Sequence, residues 1–160
     1  MQSLHRLLER FADAKLEYVV VGGYAGVLHG SSLVTNDLDI CAVLSPENVQ
    51  KLRSILADLH PVHRITHHKL SFLDHPVADT PVSNLYLETD SGIVDILSSI
   101  LGVGDYARLR QSAIEVVLFG RPVPVISLDD LIAAKEAVGR EKDLLAVKEL
   151  RAIKARRGTA

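Results

Sequence analysis

The sequence predicts an α/β (α+β) fold, with a mixed central β-sheet flanked by helices and further helices closing the C-terminus. Three observations carry this. Leu4, Leu7, Leu8, Phe11 and Leu16 recur at helical spacing near the N-terminus, short β-branched runs fill the middle of the chain, and two helical segments follow Ser127. At 160 residues the chain has the size of one compact domain, and no repeat, low-complexity tract or linker divides it. Residues 1–160 are therefore read as a single domain, with core sheet and helices over 1–126 and a C-terminal helical part over 127–155.

Residues 3 to 15 read as an amphipathic helix with Ser3 as its N-cap. The run YVVV, ending at Gly22–Gly23, reads as a buried strand, and residues 24 to 29 leave room for about one and a half helical turns. DLDICAV is a second strand, and PENVQKLRSILADL is a helix with Pro46 in its first turn. Residues 60 to 81 are expected to hold two or three short strands joined by loops that bear His and Pro. SNLYLE and GIVDIL flank TDSG, which has the composition of a hairpin turn. A short helix near 104 to 111, the strand IEVVLF and the run PVPVIS come next. The closing helices start at Leu128, capped by Ser127, and at about residue 141, the latter ending near 154 and leaving ARRGTA as a loose tail.

A net charge of -2 predicts no strong non-specific pull toward nucleic acid or an anionic membrane. Cys41, the single cysteine, excludes an internal disulfide framework and a cysteine zinc cluster, and favours a reducing compartment. Charged residues interrupt the apolar ones throughout MQSLHRLLERFADAKLEYVVV, so this stretch reads as neither a signal peptide nor a membrane span. No membrane partner is expected, and the cytoplasm is the default location.

The chemistry concentrates in DLDI. Strand alternation places Asp37 and Asp39 on one face, about 6.6 Å apart at their α-carbons, with Leu38 and Ile40 facing the core. At an effective dielectric of ~20, two carboxylates ~6 Å apart repel by roughly 3 kcal/mol, a cost that a divalent cation turns into attraction. Hard oxygen donors suit Mg2+ or Mn2+, which activate a hydroxyl and stabilise a leaving phosphate. Asp95 interrupts the aliphatic run GIVDIL and is the candidate third ligand, provided that strand lies beside DLDI. Against this stands the ordinary role of an aspartate as a turn residue at the start of a strand.

Gly22–Gly23 ends a strand and opens a short helix, so backbone N–H groups there can approach phosphate oxygens; Ser31, Ser32 and Thr35 would add hydroxyls. A dinucleotide fingerprint does not fit, because Gly22, Gly23 and Gly26 miss its spacing and the acidic pair follows too soon.

Together, VVVGGYAGVLHGSSLVTNDLDI resembles the glycine-turn and Asp-x-Asp signature of the DNA polymerase beta-like nucleotidyltransferase superfamily. Within it the chain looks closest to small bacterial proteins related to the abortive-infection (AbiEii-type) nucleotidyltransferase toxins. Gly22, Gly23, Tyr24, Ala25, His29, Gly30, Thr35, Asp37 and Asp39 carry the match. VDIL around Asp95 resembles the third-carboxylate strand, and Lys135, Arg140, Lys142 and Asp143 match elements of the C-terminal helices.

The resemblance implies a nucleotidyltransferase fold over residues 4 to about 153 and transfer of a nucleotidyl group from a nucleoside triphosphate to an acceptor hydroxyl. Mg2+ or Mn2+ would be held by Asp37, Asp39 and Asp95, which also form the catalytic set. Gly22, Gly23, Ser31, Ser32, Thr35, Lys135 and Lys142 would bind the nucleotide. The acceptor stays open among a small molecule, a tRNA end and a protein, and a further reading makes the chain the toxin half of a toxin–antitoxin pair, with an antitoxin as its partner. Leu33 stands where this branch carries arginine, so a phosphate-contacting cation is missing, with Arg64, Lys69, Lys135 and Lys142 as substitutes. That departure motivates the alternative of a catalytically degenerate binding module for a nucleotide or a partner protein. The oligomeric state stays open, with a dimer only the base-rate expectation.

Among the remaining residues, His60, His63, His67, His68 and His75 match no zinc spacing and read as a polar loop near the site. His29 reads as a residue binding free carbonyls at a helix end. Arg140, Lys142 and Asp143 read as an ion-paired group at the start of the last helix, and Cys41 reads as a small buried hydrophobe.

Overall fold

The computed structural model describes residues 4–158. Helix α1 (Leu4–Asp13) buries Leu4, Leu7, Leu8 and Phe11 along one stripe, as their spacing dictates; the Ser3 cap lies outside the described residues. Strand β1 (Val19–Val21) is buried throughout and passes directly into α2 (Gly22–Leu28), which starts two residues earlier than the sequence suggested. The turn can begin at once because Gly22 adopts a φ of 67°, open to a residue without a Cβ.

Strand β2 (Asp37–Cys41) and helix α3 (Pro46–Leu56) follow, the helix capped by Ser45, whose hydroxyl accepts from the Asn48 N–H at 3.1 Å. A 3₁₀ turn (Ala57–Leu59) leads to the short β3 (Val62–His63). The hairpin β4 (Asn84–Thr89) and β5 (Gly92–Leu97) turns through Asp90 and Ser91, where TDSG predicted it. Strands β6 (Ser99–Ile100) and β7 (Gly104–Asp105) form a small separate ladder ahead of α4 (Tyr106–Ser112). The hairpin β8 (Ile114–Leu118) and β9 (Arg121–Val125) precedes α5 (Leu128–Val138) and α6 (Glu141–Gly158).

Seven strands form one mixed sheet in the order β3-β4-β5-β2-β1-β9-β8. Strand β2 lies at its centre, antiparallel to β1 and parallel to β5. Leu38, Ile40, Val94 and Ile96 are fully buried and join the helix residues Phe11, Leu52 and Leu150 in one continuous core. Among the described residues no helix is long and apolar enough to cross a membrane.

Two expectations are corrected. The tail was read as loose from Ala155, yet α6 continues through Gly158, where Arg157 donates to the His29 carbonyl at 2.9 Å and so holds the last turn against α2. Residues 60 to 81 hold one short strand and an isolated Val62–Ser71 bridge in place of two or three strands. The reason is a side-chain anchor. Arg53 of α3, 8% exposed, donates Nε to the Phe72 carbonyl at 2.8 Å and a second N–H to that of Pro76, with its guanidinium 5.1 Å from the Phe72 ring centroid. Carbonyls that would otherwise seek a strand partner are satisfied by that fork. His63 adds a bond from Nε2 to the His75 carbonyl at 2.7 Å.

Arg53→Ala would leave those carbonyls without their donor beneath a buried Phe72. Urea unfolding is expected to show a loss of about 2–4 kcal/mol, with limited proteolysis cutting first between residues 64 and 81.

Candidate active site

The sheet register assembles the acidic residues. Asp39 is the direct partner of Asp95 across the parallel β2–β5 pair, with Asp37 two residues earlier on the same face as Asp39. On its other side Asp39 faces Val21, the residue before the glycine turn. A Cβ at Gly22 would fall 2.3 Å from Asp39 Oδ2, and one at Gly23 would fall 3.1 Å from Thr35 Oγ1. The paired glycines thus make room for a carboxylate and a threonine beside the backbone. Thr35 in turn donates to the Asp37 carbonyl at 3.2 Å, which fixes the entry into β2.

The carboxylates differ in how they are satisfied. Arg64 donates two hydrogen bonds to Asp95, Nε to Oδ1 at 3.1 Å and a terminal N–H to Oδ2, and lies 5.5 Å from the Tyr86 ring centroid. Among the described residues no hydrogen bond reaches the carboxylates of Asp37 or Asp39. Burial pushes the Asp39 carboxyl up to about 6, and the charges of Asp95 and Asp37 add to the rise, against the pull of Lys135 and Arg64.

Lys135 on α5 reaches the site with its Nζ 3.8 Å from Asp143 Oδ1. Asp143 is 2% exposed at the start of α6 and also accepts from Arg140 Nε at 2.7 Å, the ion pair expected from the sequence. A pocket of about 250 Å³ opens between this group and Asp39. Its lining is mostly aliphatic, with Ile100, Leu101, Leu131 and Val138 among its walls, and it includes Gly22.

Other candidates stand elsewhere. Ser31 and Ser32 both donate to Glu149 of α6, at 2.5 and 2.6 Å, and the Ser32 N–H adds a third bond at 3.1 Å. Their hydroxyls tie α2 to α6 and present a carboxylate where a phosphate was expected. Lys142 lies on a different groove with Glu141 and Lys148, apart from the pocket beside Asp39. Lys69 pairs with Glu88 at 2.7 Å. Leu33 is 43% exposed and lines a small recess with Gly23, Thr35 and Lys135. His29 is structural, as anticipated: Nε2 donates to the Ile126 carbonyl at 2.7 Å while Nδ1 accepts from Arg157 at 3.1 Å, and burial holds the imidazole below its ordinary value. Cys41 is fully buried, with burial pushing its thiol up to about 11.

The donor chemistry suits a hard divalent cation. Asp37 and Asp39 offer oxygen atoms that take no hydrogen bond among the described residues, and their repulsion, with that of Asp95, is what such a cation relieves. Among the described residues no three His, Cys, Asp or Glu side chains stand grouped as a ready metal cage. Arg64 on Asp95 and Glu149 on the serines escaped the sequence reading, because each contact spans a long sequence separation with no local spacing signal.

No protein-family model and no curated protein matches the sequence. Solved structures do match in fold. The lincosamide antibiotic adenylyltransferase LnuA, in its lincomycin-bound form, aligns with a TM-score of 0.66 at 20% identity over 95% of this chain and 96% of its own. The solution structure of the antibiotic-resistance factor ANT(2'')-Ia aligns at 0.52 with 17% identity, over 99% and 94% of the two chains. The complex of ANT(2'')-Ia with adenylyl-2''-tobramycin gives 0.51 and 18%, over 93% and 95%. The chain therefore has the nucleotidyltransferase fold.

Two variants probe this geometry. Asp39 holds a proton in the folded state between its ordinary 3.8 and about 6 that the unfolded chain lacks, so its contribution to stability falls as pH rises through that window. In EDTA, Asp39→Asn is expected to be about 2 kcal/mol more stable than wild type above pH 7, with the difference vanishing below about pH 4, as urea unfolding would show. Gly22→Ala forces a Cβ onto Asp39 in a left-handed backbone; a drop of about 2–4 kcal/mol is expected on thermal unfolding, because clash and strain act together.

Proposed function

We propose that this protein is a metal-dependent nucleotidyltransferase that moves a nucleotidyl group from a nucleoside triphosphate to the hydroxyl of a small-molecule acceptor. The register of Asp39 beside Asp95, with Asp37 on the same face, carries the reading. Asp37 and Asp39, free of protein donors, would hold Mg2+ or Mn2+, with Asp95 as the third ligand. When bound, such ions would neutralise the phosphates and lower the barrier to attack by the acceptor oxygen. Asp39 and Asp95, direct partners across the two strands, are the groups that would take up the acceptor proton. Gly22 and Gly23 keep side chains away from the phosphate path, and Lys135, tethered by Asp143, supplies positive charge beside it.

A small-molecule acceptor is favoured over a tRNA end or a protein by the aliphatic pocket of about 250 Å³ that meets Asp39. The likeness to structures described with lincomycin and with adenylyl-2''-tobramycin points the same way. The abortive-infection toxin reading rests on the sequence motifs, and growth arrest on expression that Asp37→Asn relieves would support it.

Calorimetric titration with ATP, GTP, CTP and UTP in Mg2+ is expected to reveal at least one saturable ligand. Folded protein that binds none of the four would end the enzymatic reading. With that triphosphate labelled at the α-phosphate, transfer to a small-molecule fraction is expected to fall about 100-fold or more in Asp39→Asn. The occupation of both Asp95 oxygens by Arg64, together with Leu33, favours a second reading as a nucleotide-binding module without turnover. Binding without any label transfer would establish that one.

A further inference from the structure

Asp95 is assigned above to a divalent cation, yet its two oxygens accept a guanidinium fork from Arg64. Two contacts with Tyr86 hold that fork. The Arg64 backbone N–H donates to the Tyr86 carbonyl at 3.0 Å, extending the β3–β4 ladder by one residue. Its side chain crosses the Tyr86 ring, and Tyr86 is the direct partner of Asp95 on the neighbouring strand. The negative charges of Asp37 and Asp39 bear on the same guanidinium. One monovalent cation therefore sits in the field of all three carboxylates.

We propose that Arg64 is a placeholder for the metal at Asp95: a divalent cation displaces its guanidinium, which then binds the phosphates of the nucleotide. This rests on the metal-dependent reading above. Guanidinium and metal compete for the same carboxylate lone pairs, so both cannot hold Asp95 in full at once. The Arg64 side chain is 28% exposed, so it has solvent on one side into which to turn, and it begins the irregular segment after β3. The planar fork that fits a carboxylate also fits a phosphate, so the freed residue has a new anion of matching geometry. Arg64 would thereby supply the cation that Leu33 does not.

Mn2+ titrations followed by electron paramagnetic resonance on the full chain separate the possibilities, with inorganic tripolyphosphate as a probe for the phosphate site whatever the base. Arg64→Ala is expected to bind Mn2+ about tenfold more tightly than wild type, equivalent to about 1.4 kcal/mol, and Mn2+-saturated protein to bind tripolyphosphate about tenfold more weakly. Arg64→Lys, which keeps charge but loses the fork, should fall between the two in both titrations, and it carries the test if the alanine variant does not fold. Mn2+ affinity unchanged or lower in the folded variants overturns the placeholder role while leaving the metal-dependent reading intact. Tighter Mn2+ with unchanged tripolyphosphate overturns the handover to phosphate. If neither wild type nor variants bind Mn2+, the metal-dependent reading falls, and this proposal with it.

Discussion

The parallel register between β2 and β5 is the constraint on which the site depends, since it sets Asp39 directly beside Asp95. Neighbouring strands lie about 4.8 Å apart, where two like charges at an effective dielectric of ~20 repel by roughly 3 kcal/mol. The sheet accepts this because Leu38, Ile40, Val94 and Ile96, alternating with the acids, are buried in the core below. A one-residue slip would turn both aspartates inward and those aliphatics outward, a change that burial forbids. The hydrophobic pattern thus enforces the acidic cluster that it does not itself benefit from.

Relief comes from cations and from space. Arg64 neutralises Asp95 from the β4 side, and Lys135 approaches from α5. The position of Lys135 depends on the C-terminal helices being docked. Gly139, at a φ of 69°, ends α5 so that α6 can fold back, and Asp143 then meets Lys135. The docking of α6 is held by Glu149 on Ser31 and Ser32 and by Arg157 on His29. Residues that resembled a phosphate-binding stretch are therefore the clamp that keeps the C-terminal helices, and with them the lysine, in place.

The fold was largely legible in the sequence because its elements announce themselves locally. The helical stripe of α1, the hairpin at Asp90–Ser91 and the Ser127 cap all depend on residues a few positions apart. Asp95 was also within reach, since a charge in GIVDIL has an evident reason only if that strand adjoins DLDI. What escaped notice lies in contacts across the chain. Arg53 on Phe72, Arg64 on Asp95 and Glu149 on Ser31 are made by long flexible side chains whose reach no periodicity encodes. The place of Lys142 was hidden for a related reason: a motif position does not say which groove a residue of α6 lines, and Lys142 lines one with Glu141 and Lys148.

The treatment of the acids argues that the cluster is more than a by-product of the sheet. Asp95, Asp130 and Asp143 are buried carboxylates, and each is paired with an arginine: Arg64, Arg108 and Arg140. That is the usual way a fold accommodates such a group. Asp39, half-buried and raised toward neutrality, takes no hydrogen bond among the described residues, and the fold even reserves a glycine to admit it. An aliphatic residue at this position would cost the folded chain less, because it would remove the desolvated charge and its two acidic neighbours' repulsion. An acid kept at such a disadvantage, on the wall of a pocket that also holds Lys135 and Asp143, is best explained by a ligand that supplies further positive charge.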